Sequence, residues 1–271
     1  MCGIVGLFSK STGVEERLGE HLGAMLAQMS DRGPDSAGVA VYRDPAPTGA
    51  SKVSLHSADP DVEWGHVRDG LARAFGGDPE PEIRASHAVF VVDTDADTAQ
   101  TWLREHHPEL RIMSAGERIE IYKEMGLPSD FVARFALDDI RGSHALGHTR
   151  MATESRVTTE HSHPFSTGLD LCLVHNGSLS NHNRLRLELR REGIGFQTDN
   201  DTEVAAGYLT WKLREGLSLE QALEGCLDDL DGFYTFAVGT ADGFAVLPGA
   251  ADAAVWEPEP AKVYSWERER V

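Results

Sequence analysis

The second residue of the chain is Cys2, directly after Met1. With Met1 removed, one residue would carry both a thiol and a free α-amine titrating at about 7.7–8.0. Such an amine can take the thiol proton and later hand it to a leaving amine, the nucleophile-and-base pairing of hydrolases that work from an N-terminal residue. By position alone, Cys2 also reads as an inert buried cysteine. A tetrahedral intermediate on a carboxamide needs donors aimed at its oxygen. Asn176-Gly177 offers a side-chain amide and a backbone N–H at what reads as a tight turn, although Asn-Gly alone is an ordinary hairpin signal. A free amino acid would also need a guanidinium fork for its carboxylate and a carboxylate for its ammonium. Arg150 and Asp201 are the candidates, and each taken singly reads as a surface charge. Together they favour a free amino acid over an amide within a larger molecule.

Positioning these groups takes strands and helices, and the hydrophobic spacing supplies them. Residues 2–8 read as a strand, and 15–29 as a helix with Leu18, Leu22, Met25, Leu26 and Met29 on one face. A loop of turn formers, Asp31 to Ser36, leads to a second strand at 37–42. Strands at 145–150 and 170–175, the latter ending at the Asn176-Gly177 turn, precede a helix at 181–192 and a polar loop at 198–201. Two amphipathic helices, 202–215 and 219–230, are followed by a hairpin of 232–239 and 243–247. The stretch 44–143 reads as an inserted α/β subdomain with its own strand–helix–strand signal at 87–93, 95–107 and 110–114. Many strands with a few flanking helices, and no regular βαβ repeat, predict an α+β layered fold.

Composition bounds the partners. The 271 residues carry 25 basic and 44 acidic side chains, a net charge of −19. So acidic a chain repels a phosphate backbone, and no segregated basic stripe is visible, so nucleic acid is excluded as a partner. No apolar run approaches the roughly 20 residues of a membrane-spanning helix, and no signal peptide is evident. Three cysteines do not suit a secreted disulfide framework, and the expected compartment is the cytoplasm. His161-Ser162-His163 reads as a structural loop rather than a metal site, for want of a third ligand at a recognisable offset. Cys172 and Cys226 read as core residues.

Six ordered motifs resemble the class II glutamine amidotransferase family: Met-Cys-Gly-Ile-Val-Gly at 1–6, Arg-Gly-Pro-Asp-Ser-Ala-Gly at 32–38, Gly-His-Thr-Arg-Met-Ala-Thr at 147–153, His-Pro-Phe at 163–165, His-Asn-Gly at 175–177 and Asp-Thr-Glu at 201–203. The likeness covers 1–43 and 145 to about 247. It implies a four-layer α-β-β-α sandwich of the N-terminal-nucleophile hydrolase type. By carry-over, Cys2 is the nucleophile, and Asn176 and Gly177 form the oxyanion hole. Arg150 binds the carboxylate of L-glutamine, Asp201 binds its ammonium, Thr153 assists at the substrate, and Arg32 lies over the nucleophile in a closing loop.

Within the family, the chain looks most like the stand-alone amidotransferase subunit of N-methylglutamate synthase or glutamate-synthase-like complexes, through Asp31 to Ala40 and the Trp-Glu-Pro-Glu-Pro run at 256–260. That likeness implies partner synthase subunits bearing flavin and iron–sulfur clusters, and neither cofactor in this chain, whose three cysteines fall short of the four a cluster normally takes. Two departures stand beside it. About thirty residues that the family has after Leu247 are missing here, and a retained Met1 would turn the catalytic amine into an amide. A catalytically silent assembly subunit and an N-terminal-cysteine hydrolase of another amide are the alternatives.

Overall fold

The computed structural model describes residues 2–151, 156–247 and 264–267. The first part of the chain forms β1 (Gly3–Phe8), α1 (Thr12–Glu15), α2 (Leu18–Gln28) and β2 (Ser36–Tyr42). Next come β3 (Ser51–His56), α3 (Trp64–Phe75), β4 (Glu82–Arg84), β5 (His87–Val92), α4 (Ala96–His106) and β6 (Arg111–Gly116). Then follow β7 (Ile119–Met125), α5 (Pro128–Arg134), β8 (His144–Arg150) and β9 (Cys172–Leu179). The last part is α6 (His182–Arg191), α7 (Asp201–Arg214), α8 (Leu219–Asp229), β10 (Gly232–Thr240), β11 (Gly243–Leu247) and β12 (Tyr264–Glu267).

Three antiparallel four-stranded sheets result, in the orders β1-β8-β2-β7, β12-β11-β10-β9 and β4-β5-β3-β6. Strand alternation explains how the first two stack. Along β2, Ala37, Val39 and Val41 join the core beneath α2 and α5, whereas Ala40 and Tyr42 point into the space between the sheets. There they meet Leu146, Cys172, Val174 and Ala237, with Ile4 and Phe244 at the margins. On the far side, α7 and α8 bury Val204, Tyr208, Leu223 and Cys226 against Leu173, Phe236 and Val238. The order is helix, sheet, sheet, helix: the four-layer sandwich that the family resemblance implies. α2 lies where its spacing put it, with Leu18, Leu22 and Leu26 fully buried.

Two readings need correction. The segment 44–143 is not one unit: β7 pairs with β2 in the first sheet, from Ser36↔Met125 to Tyr42↔Ile119, and Phe131 of α5 packs in the core beneath that sheet. The third sheet takes only Ser51–Gly116, with α3 and α4 packed on it around Trp64, Leu71 and Leu103. Its β5-α4-β6 run is a split unit, with β3 between the two strands. A buried charge network ties it to the sandwich. Glu120 of β7 accepts from Lys52 at 2.8 Å, from Arg43 at 3.0 Å and from Tyr122 at 2.9 Å, and Arg43 also donates to Glu82 at 2.7 Å.

The second correction concerns Asn176-Gly177, which is not a turn. β9 runs through it to Leu179, with Asn176 opposite Thr235 and Gly177 opposite Tyr234. Gly177 has φ +137°, and a Cβ there would stand 2.1 Å from the Phe233 carbonyl oxygen. The glycine permits a close backbone approach within the sheet, the freedom that had suggested a turn.

Candidate active site

The period-two rule that builds the sandwich also gathers the site. Ile4 on β1, Leu146 on β8, and Cys172 and Val174 on β9 face the inter-sheet space. Two residues back from Ile4 is Cys2, two and four beyond Leu146 are His148 and Arg150, and two beyond Val174 is Asn176. All four converge at one open end of the sandwich. The Met151 N–H donates to Cys2 Sγ at 3.4 Å, and the Asn176 Nδ2–H donates to the Cys2 carbonyl at 3.2 Å. Cys172 and Cys226 are fully buried, whereas Cys2 is partly exposed. Burial pushes the Cys172 thiol up to about 11, so it stays protonated and inert.

Arg150 is 5% exposed and donates from Nη1 to the Arg156 carbonyl at 2.9 Å. Burial lowers its pKa, while Cys2, Asp35 and Asp201 pull it back up, so a thiol, a guanidinium and two carboxylates share one field. Asp201 opens α7 and accepts from the Leu179 N–H at 3.0 Å, which anchors it to the end of β9. The preceding loop is held from three sides. Glu203 accepts from the N–H groups of Gln197 and Thr198 at 2.7 and 2.8 Å, Arg186 donates to the carbonyls of Thr198 and Asn200 at 2.6 and 2.9 Å, and His161 bonds Asp199 at 2.7 Å.

Arg32 stands apart. It is exposed at the end of a single 3₁₀ turn, and among the described residues its side chain makes no hydrogen bond or ion pair. The rest of its loop is zipped to β8. Asp35 N–H donates to the Arg150 carbonyl at 3.0 Å, and a Cβ on Gly33 would fall 2.4 Å from Thr149 backbone. Thr153 lies outside the described residues, as do Met1 and the 256–260 run.

The sequence reading missed a layer of buried histidines behind these groups. His148, His163 and His175 are each 7% exposed or less, with ring centroids 4.1 Å apart for the first two and 6.4 Å for the last two. Burial pushes all three below the usual histidine range, His148 to about 4, so all are neutral at working pH. Thr202 Oγ1 meets His163 Nε2 at 2.7 Å and His175 Nδ1 at 3.0 Å, while His163 Nδ1 and His175 Nε2 lack partners among the described residues. If both rings donate their single N–H to Thr202, only bare lone pairs are left unmatched, which costs less than an orphaned N–H. The available signal was that each histidine sits inside or beside a motif.

The chain matches the glutamine amidotransferase domain family over residues 148–247. It is 49% identical over 302 aligned positions to the glutamine amidotransferase-like protein GlxB of Rhizobium meliloti strain 1021, covering 100% of this chain and 99% of that protein. That alignment is longer than this chain of 271 residues, so the relative has about thirty more at internal positions. A provisionally named glutamine amidotransferase of Methanothermobacter thermautotrophicus is 30% identical over 91% of this chain and 84% of that one. A glutamine–fructose-6-phosphate aminotransferase of Bradyrhizobium diazoefficiens is 34% identical over 45% of this chain and 20% of the enzyme. Identity near one half along both full lengths, in a chain whose second residue is its accessible thiol, settles the family: this chain belongs to the class II glutamine amidotransferases.

Proposed function

We propose that the enzyme hydrolyses free L-glutamine at Cys2 and passes the ammonia to synthase subunits of a glutamate-synthase-like or N-methylglutamate synthase complex. The observation that carries the hydrolytic reading is the Asn176 Nδ2–H bond to the Cys2 backbone carbonyl, which brings an amide donor to the residue that bears the thiol. In this reading the Cys2 thiol proton moves to the residue's own amine, and the thiolate adds to the carboxamide carbon. The oxyanion forms against Asn176 Nδ2–H and the Gly177 N–H. The intermediate collapses as the amine returns its proton to the leaving nitrogen, releasing ammonia and leaving a thioester. Water then adds, the C–S bond breaks, and glutamate leaves. Arg150 and Asp201 hold the two charged ends of the substrate, with Thr153 assisting beside it. Arg32, outside the contact set, is the group a closing partner would bring in.

The synthase role rests on the likeness of residues 31–40 to that branch. The flavin and iron–sulfur chemistry would belong to the partner subunits, and the working compartment would be the cytoplasm. No helix among the described residues is long and apolar enough to cross a membrane. The test is glutaminase activity of Cys2→Ala and Cys2→Ser. Both variants should lose at least about a thousandfold in kcat while keeping the wild-type unfolding midpoint; retained turnover sinks the mechanism. The alternative, a catalytically silent subunit, requires that Met1 be retained ahead of Cys2. N-terminal mass measurement of the native protein separates the two: a free Cys2 amine supports catalysis, and a retained methionine supports the silent subunit.

A further inference from the structure

Asn176 can serve as a donor to an oxyanion only if its amide is turned the right way round. The oxygen and nitrogen of that amide are nearly isosteric, so sterics alone do not choose. The Cys2 carbonyl, which accepts from Nδ2 at 3.2 Å, favours one orientation, and the same orientation is enforced from the other side by His148, a residue with 1% exposure and no contact to Cys2 among the described hydrogen bonds. Its Nε2 lies 3.1 Å from Asn176 Oδ1 and 3.1 Å from the carbonyl oxygen of His175. The backbone carbonyl can only accept, so Nε2 must carry the proton. An Nε2–H in turn requires an acceptor from Asn176, which puts Oδ1 toward His148 and Nδ2 toward Cys2. Reversing the amide would set donor against donor at His148 and acceptor against acceptor at the Cys2 carbonyl. We infer that His148 is a positioning residue: locked in its Nε2–H form by the His175 carbonyl, it holds the Asn176 amide with its donor facing the nucleophile.

The inference rests on the reading of Asn176 as the oxyanion donor, and the experiment separates the two. Glutamine hydrolysis is measured for the full chain with its copurifying partners, in wild type, His148→Leu, His148→Gln, Asn176→Ala and the double variant His148→Leu/Asn176→Ala. Cys2 alkylation by iodoacetamide, which needs no oxyanion donor, is followed in parallel. Removing one oxyanion donor costs roughly 10²–10³ in kcat, so a misturned one should cost about 10- to 100-fold. His148→Leu should show that loss in kcat, with KM within about threefold and alkylation unchanged. His148→Gln, whose Nε2–H reaches the same place, should recover most of it. On the Asn176→Ala background His148→Leu should cost less than about twofold, because nothing remains to be oriented. If His148→Leu does not fold, His148→Asn, too short to reach, takes its place. An equal loss in the Leu and Gln variants, a loss that persists without Asn176, or a change confined to KM overturns the inference. A wild-type protein that hydrolyses glutamine, with Asn176→Ala indistinguishable from it, overturns the underlying reading instead.

Discussion

Arg150 sits almost out of solvent within the field of Cys2, Asp35 and Asp201, so its charge is costly there and its shape matters as much as its sign. A lysine would keep the charge and lose the planar fork that meets both oxygens of a carboxylate. Arg150→Lys should therefore raise KM for glutamine about 10- to 100-fold, the worth of a charge-assisted hydrogen bond. Glutamine and its carboxyl-amidated analogue reacting equally well with wild type would show Arg150 to be misassigned. Roles for Cys2, Arg150, Asn176 and Asp201 could be assigned from sequence only because six ordered motifs group them; singly, each reads as a buried cysteine, a surface charge or a turn residue. His148, His163, His175 and Thr202 stand in the same motifs, but their contacts were not legible: His148 bonds an asparagine 28 positions away, and spacing does not reveal such a neighbour.

At the scale of elements, what could be read was what depends on local periodicity. α2 declared itself through Leu18, Leu22 and Leu26, and the β10–β11 hairpin through its turn at Ala241-Asp242. β7 was misplaced because its membership is decided by a partner strand far back in the chain, with Ile119 opposite Tyr42. At Gly177 the cue was sound and its use differed: positive φ served a close approach to Phe233 instead of a turn. Gly177→Ala should thus strain β9 and press on Phe233 backbone, destabilising the protein by more than about 2 kcal/mol and lowering kcat as Asn176 shifts. Chemical denaturation checks the first effect, and wild-type stability in this variant would contradict the close approach.

For the whole molecule, the buried neutral histidines make stability pH-dependent. Unfolded histidines protonate near 6.5, whereas His148 in the folded protein resists to about 4, held there chiefly by burial, with the Arg150 charge adding to it. Between those values the unfolded state binds more protons. Stability is therefore full above about pH 6.5 and falls toward pH 4, by up to about 1.4 kcal/mol per pH unit for each such histidine. Urea midpoints at pH 7.5, 6 and 5 test this in a window above most carboxylate titration. A flat profile would contradict it, and His148→Gln should show a shallower one. The net charge of −19 also offers a field for docking a complementary partner. If a partner brings Arg32 inward, glutaminase kcat should rise at least about tenfold in the reconstituted complex, and an Arg32→Ala chain should lose that rise while keeping its basal rate. Equal rates with and without synthase subunits would count against gating.

β1 is an edge strand whose sole sheet partner among the described residues is β8, and Cys2 finds its contact at Met151, 149 positions further on. The third sheet, by contrast, needs nothing beyond Gly116. During synthesis at about 5–20 residues per second, the N-terminus therefore waits on the order of ten to thirty seconds with no strand to join, while the third sheet can already close. That interval is when a peptidase could trim Met1 from an unpaired end. Afterwards Cys2 is held by bonds to Met151 and Asn176. If Met1 is trimmed only in that interval, then under the proposed mechanism the capacity for hydrolysis would be set before the sandwich that uses the amine exists.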